Sequence, residues 1–252
     1  MPTKAHTERM LARHSPPTPE QVAFLGSADH PSEDGRHCCV HVLCWPTVPT
    51  GWNVTAQRWH SLCAERGGRE FTGARWEPAD AWIVESAPQL AAPFRGTTAA
   101  ESSLASLLAR IPMQVAIGLA EVASARHAGE AAHRAAFSNC LATYDDVLQA
   151  PGRESCSLLV ARSRGELADR HTQETFGVCR ARFAKSAWVK RAQVRHWTDK
   201  VDPIPLDWAN LLAAAVVRRL TTPTVPQPLF DALVPKLVRN PLPPLRTKRG
   251  GK

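Results

Sequence analysis

Seven Cys and His side chains, which can bind a metal ion, lie within 27 residues: His37, Cys38, Cys39, His41, Cys44, His60 and Cys63. Zinc prefers thiolate and imidazole ligands, and four of them complete a structural site. The best four candidates are Cys39, Cys44, His60 and Cys63, although their spacing matches no standard zinc finger. A strand through this segment would direct Cys38, Val40, Val42 and Cys44 to one face and His37, Cys39, His41 and Leu43 to the other. Because that alternation separates Cys39 from Cys44, the sequence favours a thiol-bearing core strand and predicts no metal and no cofactor.

A second group of candidate ligands, His127, Glu130 and His133, lies in a segment with helical periodicity. The Glu-x-x-His spacing supplies the carboxylate and imidazole that di-iron helical bundles use. Such bundles need two of these motifs and two further glutamates, and the chain contains no second Glu-x-x-His. The sequence therefore favours a solvated polar helix face for these residues.

Motifs for nucleophilic or phosphate chemistry are absent from the sequence. It contains no Gly-x-Ser-x-Gly, no Gly-x4-Gly-Lys, no Gly-x-Gly-x-x-Gly and no His-Glu-x-x-His. Asp145 and Asp146 are adjacent, but neighbouring side chains on a helix diverge by about 100° and do not share a substrate. A catalytic Cys–His pair formed in space stays open, because such pairs leave no fixed spacing in the sequence. We predict that the protein is not an enzyme.

Basic side chains are concentrated near residue 190 and at the C-terminus. Seven Lys and Arg lie between residues 180 and 200, opposed only by Asp199 and interleaved with aromatic side chains. Such a surface can contact the phosphates of RNA or of anionic lipid headgroups. The alternative is a solvated helix face whose Arg stems cover apolar surface. The residues expected to contact an anionic partner are Arg180, Arg182, Lys185, Lys190, Arg191, Arg195, Arg246, Lys248 and Arg249.

The first third of the chain is predicted to form a small α+β unit. Thr18-Pro19-Glu20-Gln21 is typical of a helix start, with a capping hydroxyl and Pro at the first helical position. The period-2 pattern of 38–44 predicts a strand. A helix is expected from Thr55 to about Arg66, before Gly67-Gly68. Two short strands are expected over Glu70–Trp76 and Ala81–Glu85.

The middle of the chain is predicted to be helical. The expected helices are Thr98–Ile111, Pro112–Gln149, Ser155–His171, Glu174–Trp197 and Pro205–Leu220. Apolar residues recur at a spacing of three to four in each segment, and Pro or Gly lies at most of the boundaries. These five helices would form a bundle or a stack of helix pairs.

The predicted fold class is therefore α+β, with four consecutive parts. They are an N-terminal extension with one short helix (1–36), a sheet-plus-helix head (37–98), an all-helical body (99–221) and an extended Pro-rich basic tail (222–252). Within the tail, only Leu229–Arg239 is expected to hold a short helix.

Composition excludes a disordered chain and disfavours a membrane-spanning one. Hydrophobic residues make up 44% and charged residues 21% of 252 residues, close to the globular average. No run of 18 apolar residues exists, and Met1–Glu20 lacks the apolar core of a secretory signal. That segment carries Lys4, Arg9 and Arg13 against Glu8, a faint organelle-presequence composition that points to mitochondria, with the cytoplasm as the alternative. Seven Cys without an export signal are expected to be reduced thiols.

These observations favour a non-enzymatic accessory subunit of a large intracellular assembly, such as a respiratory-chain or ATP-synthase complex. The missing catalytic motifs and the Pro-rich basic tail support this hypothesis, with other subunits as partners and no transmembrane span. The first alternative is an RNA-contacting ribosomal protein, because the net charge of +8 lies mostly in the C-terminal half. The second is a small metal-binding or enzymatic domain centred on segment 37–63.

Overall fold

The computed structural model describes most of the chain between Val22 and Arg239. The described residues are 22–31, 36–48, 50–65, 98–123, 128–148, 158–183, 192–198, 203–221, 223–224 and 226–239. They form one five-stranded mixed sheet with helices on both faces. The α+β class predicted from the sequence is therefore confirmed.

Five strands and six α-helices follow one another along the described chain. They are β1 (Val22–Pro31), β2 (Arg36–Pro46), α1 (Gly51–Glu65), α2 (Thr98–Arg110), β3 (Met113–Ala123), α3 (Ala128–Leu148), β4 (Leu158–Arg162), α4 (Glu166–Arg182), β5 (Gln193–Trp197), α5 (Ile204–Thr221) and α6 (Pro228–Leu233). A 3₁₀ turn, Val234–Lys236, follows α6.

The strands lie in the order β3-β2-β1-β4-β5. Strands β1, β2 and β3 pair antiparallel, whereas β4 pairs parallel to β1 and β5 parallel to β4. The register places Cys39 opposite Asp29 and His41 opposite Ser27. Strand β1 is therefore central, and it joins the antiparallel half of the sheet to the parallel half.

Two helical layers cover the sheet, and each forms its own core. On one face, helices α1, α2, α5 and α6 pack on Val40, Val42 and Cys44. On the other face, α3 and α4 pack on Leu43 and Trp45. The alternation that the sequence predicts for β2 is thus confirmed, because residues of even and odd number reach different cores.

The prediction of an all-helical body is wrong for three segments. Strand β3 occupies the first part of the predicted helix 112–149, β4 lies in the predicted helix 155–171, and β5 ends the predicted helix 174–197. In β3 and β4, both faces are buried over consecutive residues. A strand buried on both faces has a continuous apolar sequence without a period of 2, and short apolar runs of this kind do not distinguish strand from helix.

Burial on both faces also explains why the structure has a strand where the sequence predicts a helix near the start of the chain. The sequence predicts a helix that begins at Thr18, within an extension, but the described residues begin with β1. Val22, Ala23, Phe24 and Leu25 are at most 3% exposed, so the first half of the central strand has no polar face to reveal its period. The sheet accordingly draws strands from both sides of residue 98.

Other predicted elements are confirmed with small shifts at their ends. Strand β2 contains 38–44, α1 ends at Glu65, α2 spans Thr98–Arg110, and α5 covers the helix expected from Pro205. Helix α6 lies at the one place in the tail where the sequence predicts a short helix. The predicted strands Glu70–Trp76 and Ala81–Glu85 and the extended segment 240–252 lie outside the described residues. Among the described helices, none is long and apolar enough to cross a membrane.

A hydrogen bond from an indole joins α1 to the central strand. Nε1 of Trp52 donates to the backbone oxygen of Val22 over 3.0 Å, and the Trp52 ring packs edge-on against Phe24. Trp208 on α5 is equally buried, but its Nε1 has no hydrogen-bond partner among the described residues. The two tryptophans therefore form a matched pair for measuring this bond.

We expect Trp52→Phe to lower the free energy of unfolding by about 1–2 kcal/mol more than Trp208→Phe. Both variants remove a similar volume from the same core, but only the first leaves a buried carbonyl without its side-chain donor. Urea unfolding of both variants measures the difference. Equal losses in the two variants would show that the indole bond to Val22 contributes nothing.

Candidate metal centre

The face of β2 that packs against α3 presents a thiol next to an imidazole. Cys39 and His41 are two residues apart on this strand, so both point toward α3. Cys39 has no exposed surface and His41 is 3% exposed. Helix α3 places His133 directly above them, in a small cluster in which Cys39 packs against Ala132 and Ala136.

Three potential ligand atoms converge at this point. Sγ of Cys39 lies 3.0 Å from Nδ1 of His133, and Nε2 of His41 lies 3.2 Å from the same nitrogen. All three atoms lie within 4.8 Å of one another. The His41 and His133 rings meet edge-on, with their centroids 5.3 Å apart.

Close packing of α3 on β3 fixes the position of His133. A Cβ on Gly118 would lie 1.9 Å from the backbone oxygen of Ala136, so only glycine permits this approach. On either side of that contact, Nδ2 of Asn139 donates to the Leu119 oxygen over 2.9 Å, and Sγ of Cys140 donates to the Ala116 oxygen over 3.5 Å. These two hydrogen bonds attach α3 to β3 about two helical turns after His133.

A cavity of about 250 Å³ opens beside these ligand atoms, between α3 and α4. Its wall includes both His41 and His133, so the imidazoles are reached from the cavity. Charged and apolar groups complete it: Arg164 precedes α4, Leu167 lies in its first turn, and Phe137 belongs to α3. The volume lies just below the range typical of pockets that enclose a drug-sized ligand.

Contacts to an arginine and to two imidazoles position the acidic groups around the cavity. Oε1 of Glu130 lies 2.8 Å from Nη2 of Arg134 and 3.0 Å from Nδ1 of His171, and so joins α3 to α4. On the sheet, Oδ2 of Asp29 lies 3.3 Å from Nε2 of His37. Asp29 is the direct neighbour of Cys39 on β1, and therefore a negative charge lies beside the thiol.

Burial keeps all three potential ligands uncharged in the protein without metal. It lowers the pKa of His41 well below its usual value, and it lowers the pKa of His133 to about 4, with the positive charge of Arg164 adding to both effects. It raises the pKa of the Cys39 thiol to about 12, and the Asp29 carboxylate acts in the same direction. At neutral pH, the imidazoles therefore offer free lone pairs, whereas the thiol must lose a proton to bind a metal.

The arrangement has the chemistry of an open transition-metal site. One sulfur and two imidazole nitrogens are ligands that zinc accepts, and three protein ligands with a cavity on the remaining side match the pattern of sites that keep one coordination position open. Buried imidazoles and a thiol also hydrogen-bond one another without a metal, with Nδ1 of His133 in contact with both partners and the donor in each pair set by the tautomers. A metal site and a hydrogen-bonded cluster without metal are distinguished by measuring the affinity of the protein for zinc or cobalt.

Cys39 and Cys44, two of the four metal candidates that the sequence offers, are not brought together by the structure. Cys39 and Cys44 lie on opposite faces of β2, as the alternation indicates. His60 and Cys63 belong to α1, on the face of the sheet away from Cys39, and their side chains lie outside the described part of the structure. Of these four, only Cys39 contributes to the candidate centre.

The second sequence candidate contributes two residues to the site. Glu130 and His133 lie on α3 at the cavity, while His127 falls outside the described residues. Sequence patterns place this group and the cysteine-rich strand in separate sites. His41 belongs to the cluster of seven candidate ligands but not to the best four, although it shares a strand face with Cys39. Sequence patterns do not single out Arg164.

The predicted anion-contacting residues fall only in part within the described structure. Arg180 and Arg182 lie in the last turn of α4, Arg195 lies on β5, and all three are exposed. The guanidinium of Arg182 packs over the Phe183 ring at 5.7 Å. The other predicted contacts, Lys185, Lys190, Arg191, Arg246, Lys248 and Arg249, are outside the described residues, so the anionic surface stays a prediction.

Comparisons of the chain with protein-family models, with curated proteins and with solved structures found no match.

Proposed function

We propose that the protein binds one zinc ion through Sγ of Cys39, Nε2 of His41 and Nδ1 of His133. The observation that carries this proposal is the convergence of these three atoms within 4.8 Å, beside a cavity. A mixed sulfur and nitrogen set selects zinc or a similar transition metal over magnesium or calcium, which prefer oxygen ligands.

Two negative charges would lie at the bound ion. Binding converts the Cys39 thiol into a thiolate, and the Asp29 carboxylate lies on the neighbouring strand. These two negative charges balance a divalent ion. The imidazoles are uncharged near neutral pH, because burial lowers the pKa of both. Protons therefore do not compete with the metal for their lone pairs.

Cobalt substitution tests the proposal on the full-length protein. Cobalt reports a cysteine ligand through sulfur-to-metal charge-transfer absorption, and elemental analysis of the purified protein counts zinc. We expect about one equivalent of metal and a charge-transfer band. Cys39→Ser should abolish that band and weaken binding at least about a hundredfold, since loss of outer-shell partners alone costs 10–100-fold.

Cys38→Ser is the matched control, because it changes the adjacent thiol on the opposite face of β2. We expect this variant to keep both the band and the affinity. His133→Gln should weaken binding as strongly as Cys39→Ser. Zinc content below about 0.1 equivalent, together with no cobalt band in the unaltered protein, would overturn the proposal.

The accessory-subunit hypothesis and its RNA-contacting alternative stay predictions of the sequence. The residues that motivate the first, 240–252, lie outside the described part of the structure. Native-size fractionation of the endogenous protein with and without RNase distinguishes them. A metal centre is compatible with either, and so this experiment is independent of the cobalt test.

A further inference from the structure

One arginine in the wall of the cavity has no charge partner among the residues that the structure describes. Arg134 is paired with Glu130 and with Glu174, at 2.8 Å and 3.3 Å. In contrast, the guanidinium of Arg164 has no hydrogen bond or ion pair to any described residue, although it lies in the cavity wall. An arginine with free donors at a cavity wall is suited to an incoming oxyanion.

The backbone that carries Arg164 is held in place. The Asp169 carboxylate accepts a hydrogen bond from the Arg164 backbone N–H over 3.0 Å and another from the Ser163 hydroxyl over 2.5 Å. Gly165 follows with a φ of +99°, a conformation that L side chains rarely adopt, and its N–H donates to Ser163 Oγ over 3.3 Å. This turn directs residue 164 toward the cavity before α4 begins.

The Arg164 guanidinium is also close to the ligand set. Arg164 lines the same cavity as His41 on β2 and His133 on α3. Arg164 and a metal at these ligands would therefore place two positive centres on one small cavity.

We propose that the open coordination position of the metal and the Arg164 guanidinium together bind a terminal phosphate group. This inference rests on the proposed function, because one of the two positive centres is the metal. A phosphate group has three terminal oxygens and about two negative charges, so one oxygen can reach the metal while two accept from the guanidinium. A carboxylate has one negative charge and only two oxygens, so it cannot place one oxygen on the metal and two on the guanidinium.

The size of the cavity limits what enters. A volume of about 250 Å³ accommodates a phosphate with a small part of its parent molecule. The exposed side chain of Leu167, in the cavity wall, offers an apolar contact to the remainder. The substrate class that we infer is a small phosphate monoester, bound by its phosphate end.

Inorganic phosphate added to the cobalt-loaded full-length protein tests this inference. We expect phosphate to change the visible d–d absorption of cobalt, and to bind at least about tenfold more tightly than acetate. Arg164→Gln should weaken phosphate binding about ten- to a hundredfold, the effect of a charge-assisted hydrogen bond, without changing cobalt affinity by a similar factor. Arg164→Lys should retain part of the affinity, because it keeps the charge but not the two-pronged donor.

Arg170→Gln is the control, since Arg170 lies on α4 shortly after Arg164, pairs with Glu166 and is absent from the cavity wall. It should bind phosphate like the unaltered protein. A protein that takes up no cobalt overturns the proposed function itself. A cobalt-loaded protein whose spectrum does not respond to phosphate, or whose response is the same in Arg164→Gln, overturns only this inference. Equal or tighter binding of acetate overturns the assignment to phosphate.

Discussion

Lowering the pH from 8 to 6 is expected to weaken the affinity of the protein for zinc or cobalt about a hundredfold. The reason is the Cys39 thiol, whose pKa burial raises to about 12. It is fully protonated in the metal-free protein throughout this range, and so metal binding releases one proton at every pH. Release of one proton changes the apparent affinity tenfold per pH unit.

The imidazoles add nothing to this slope in the same range. Burial lowers the pKa of His133 to about 4 and that of His41 well below its usual value, and therefore both are already neutral at pH 6. Exposed histidines would titrate near pH 6.5 and would steepen the dependence there. We expect a slope of one between pH 6 and 8, which increases only as the pH falls toward 4.

Chelator competition at each pH measures this slope, and calorimetry in buffers of different ionisation enthalpy counts the released proton. Cys38→Ser should preserve a slope of one. Cys39→Ala should bind weakly and lose the slope, because no thiol remains to deprotonate at the site. A slope of zero in the unaltered protein would contradict thiolate ligation, and a slope near three would contradict neutral imidazoles.

Gly118→Ala is expected to lower the free energy of unfolding by about 3 kcal/mol and to reduce metal affinity at the same time. An added Cβ would lie 1.9 Å from the Ala136 oxygen and 2.4 Å from the Cys140 nitrogen, both backbone atoms of α3. Rotation of a side chain cannot relieve these contacts. The helix must move away from the sheet, and it carries His133 with it.

Gly177→Ala is the control with the opposite sign. Gly177 lies within α4, and an added Cβ there would meet no atom within 4 Å apart from the neighbouring backbone of its own helix. Alanine in a helix is about 0.8–1 kcal/mol more favourable than glycine, so this variant should gain stability and keep its metal affinity. Urea unfolding and cobalt binding of both variants provide the comparison. A Gly118→Ala protein as stable and as competent for cobalt as the unaltered chain would refute the packing argument.

Prediction of the elements from the sequence succeeds where one face of the element is polar. Helices α1, α2 and α5 each show an apolar stripe, and Pro112 marks the end of the second of them. Prediction fails for β1, β3 and β4, which are covered by helices on both faces. Their sequences carry no alternation, because both sets of side chains are buried. Strand β5 is not predicted because its residues Val194 and Trp197 are three apart, the same spacing as Phe176 and Cys179 in α4. The sequence pattern therefore continues as if it were one helix.

Prediction of the site is limited in a different way. The sequence determined by itself that Cys39 shares a face of its strand with His41 and not with Cys44, because successive side chains on a strand alternate. It also determined that Glu130 and His133 share one side of a helix, because they are three residues apart. The chemical types of the candidate ligands, and their grouping within each element, therefore follow from local sequence alone.

Only the tertiary structure decided that the two groups form one site. Pairing of β2 with β3, and the close approach of α3 to β3 at Gly118, bring His133 over Cys39 although 94 residues separate them in the chain. Crossover from β4 into α4 then adds Arg164 to the same cavity. Contacts at such separations depend on strand order and on which helix covers which face. Local patterns in a single sequence do not encode these choices.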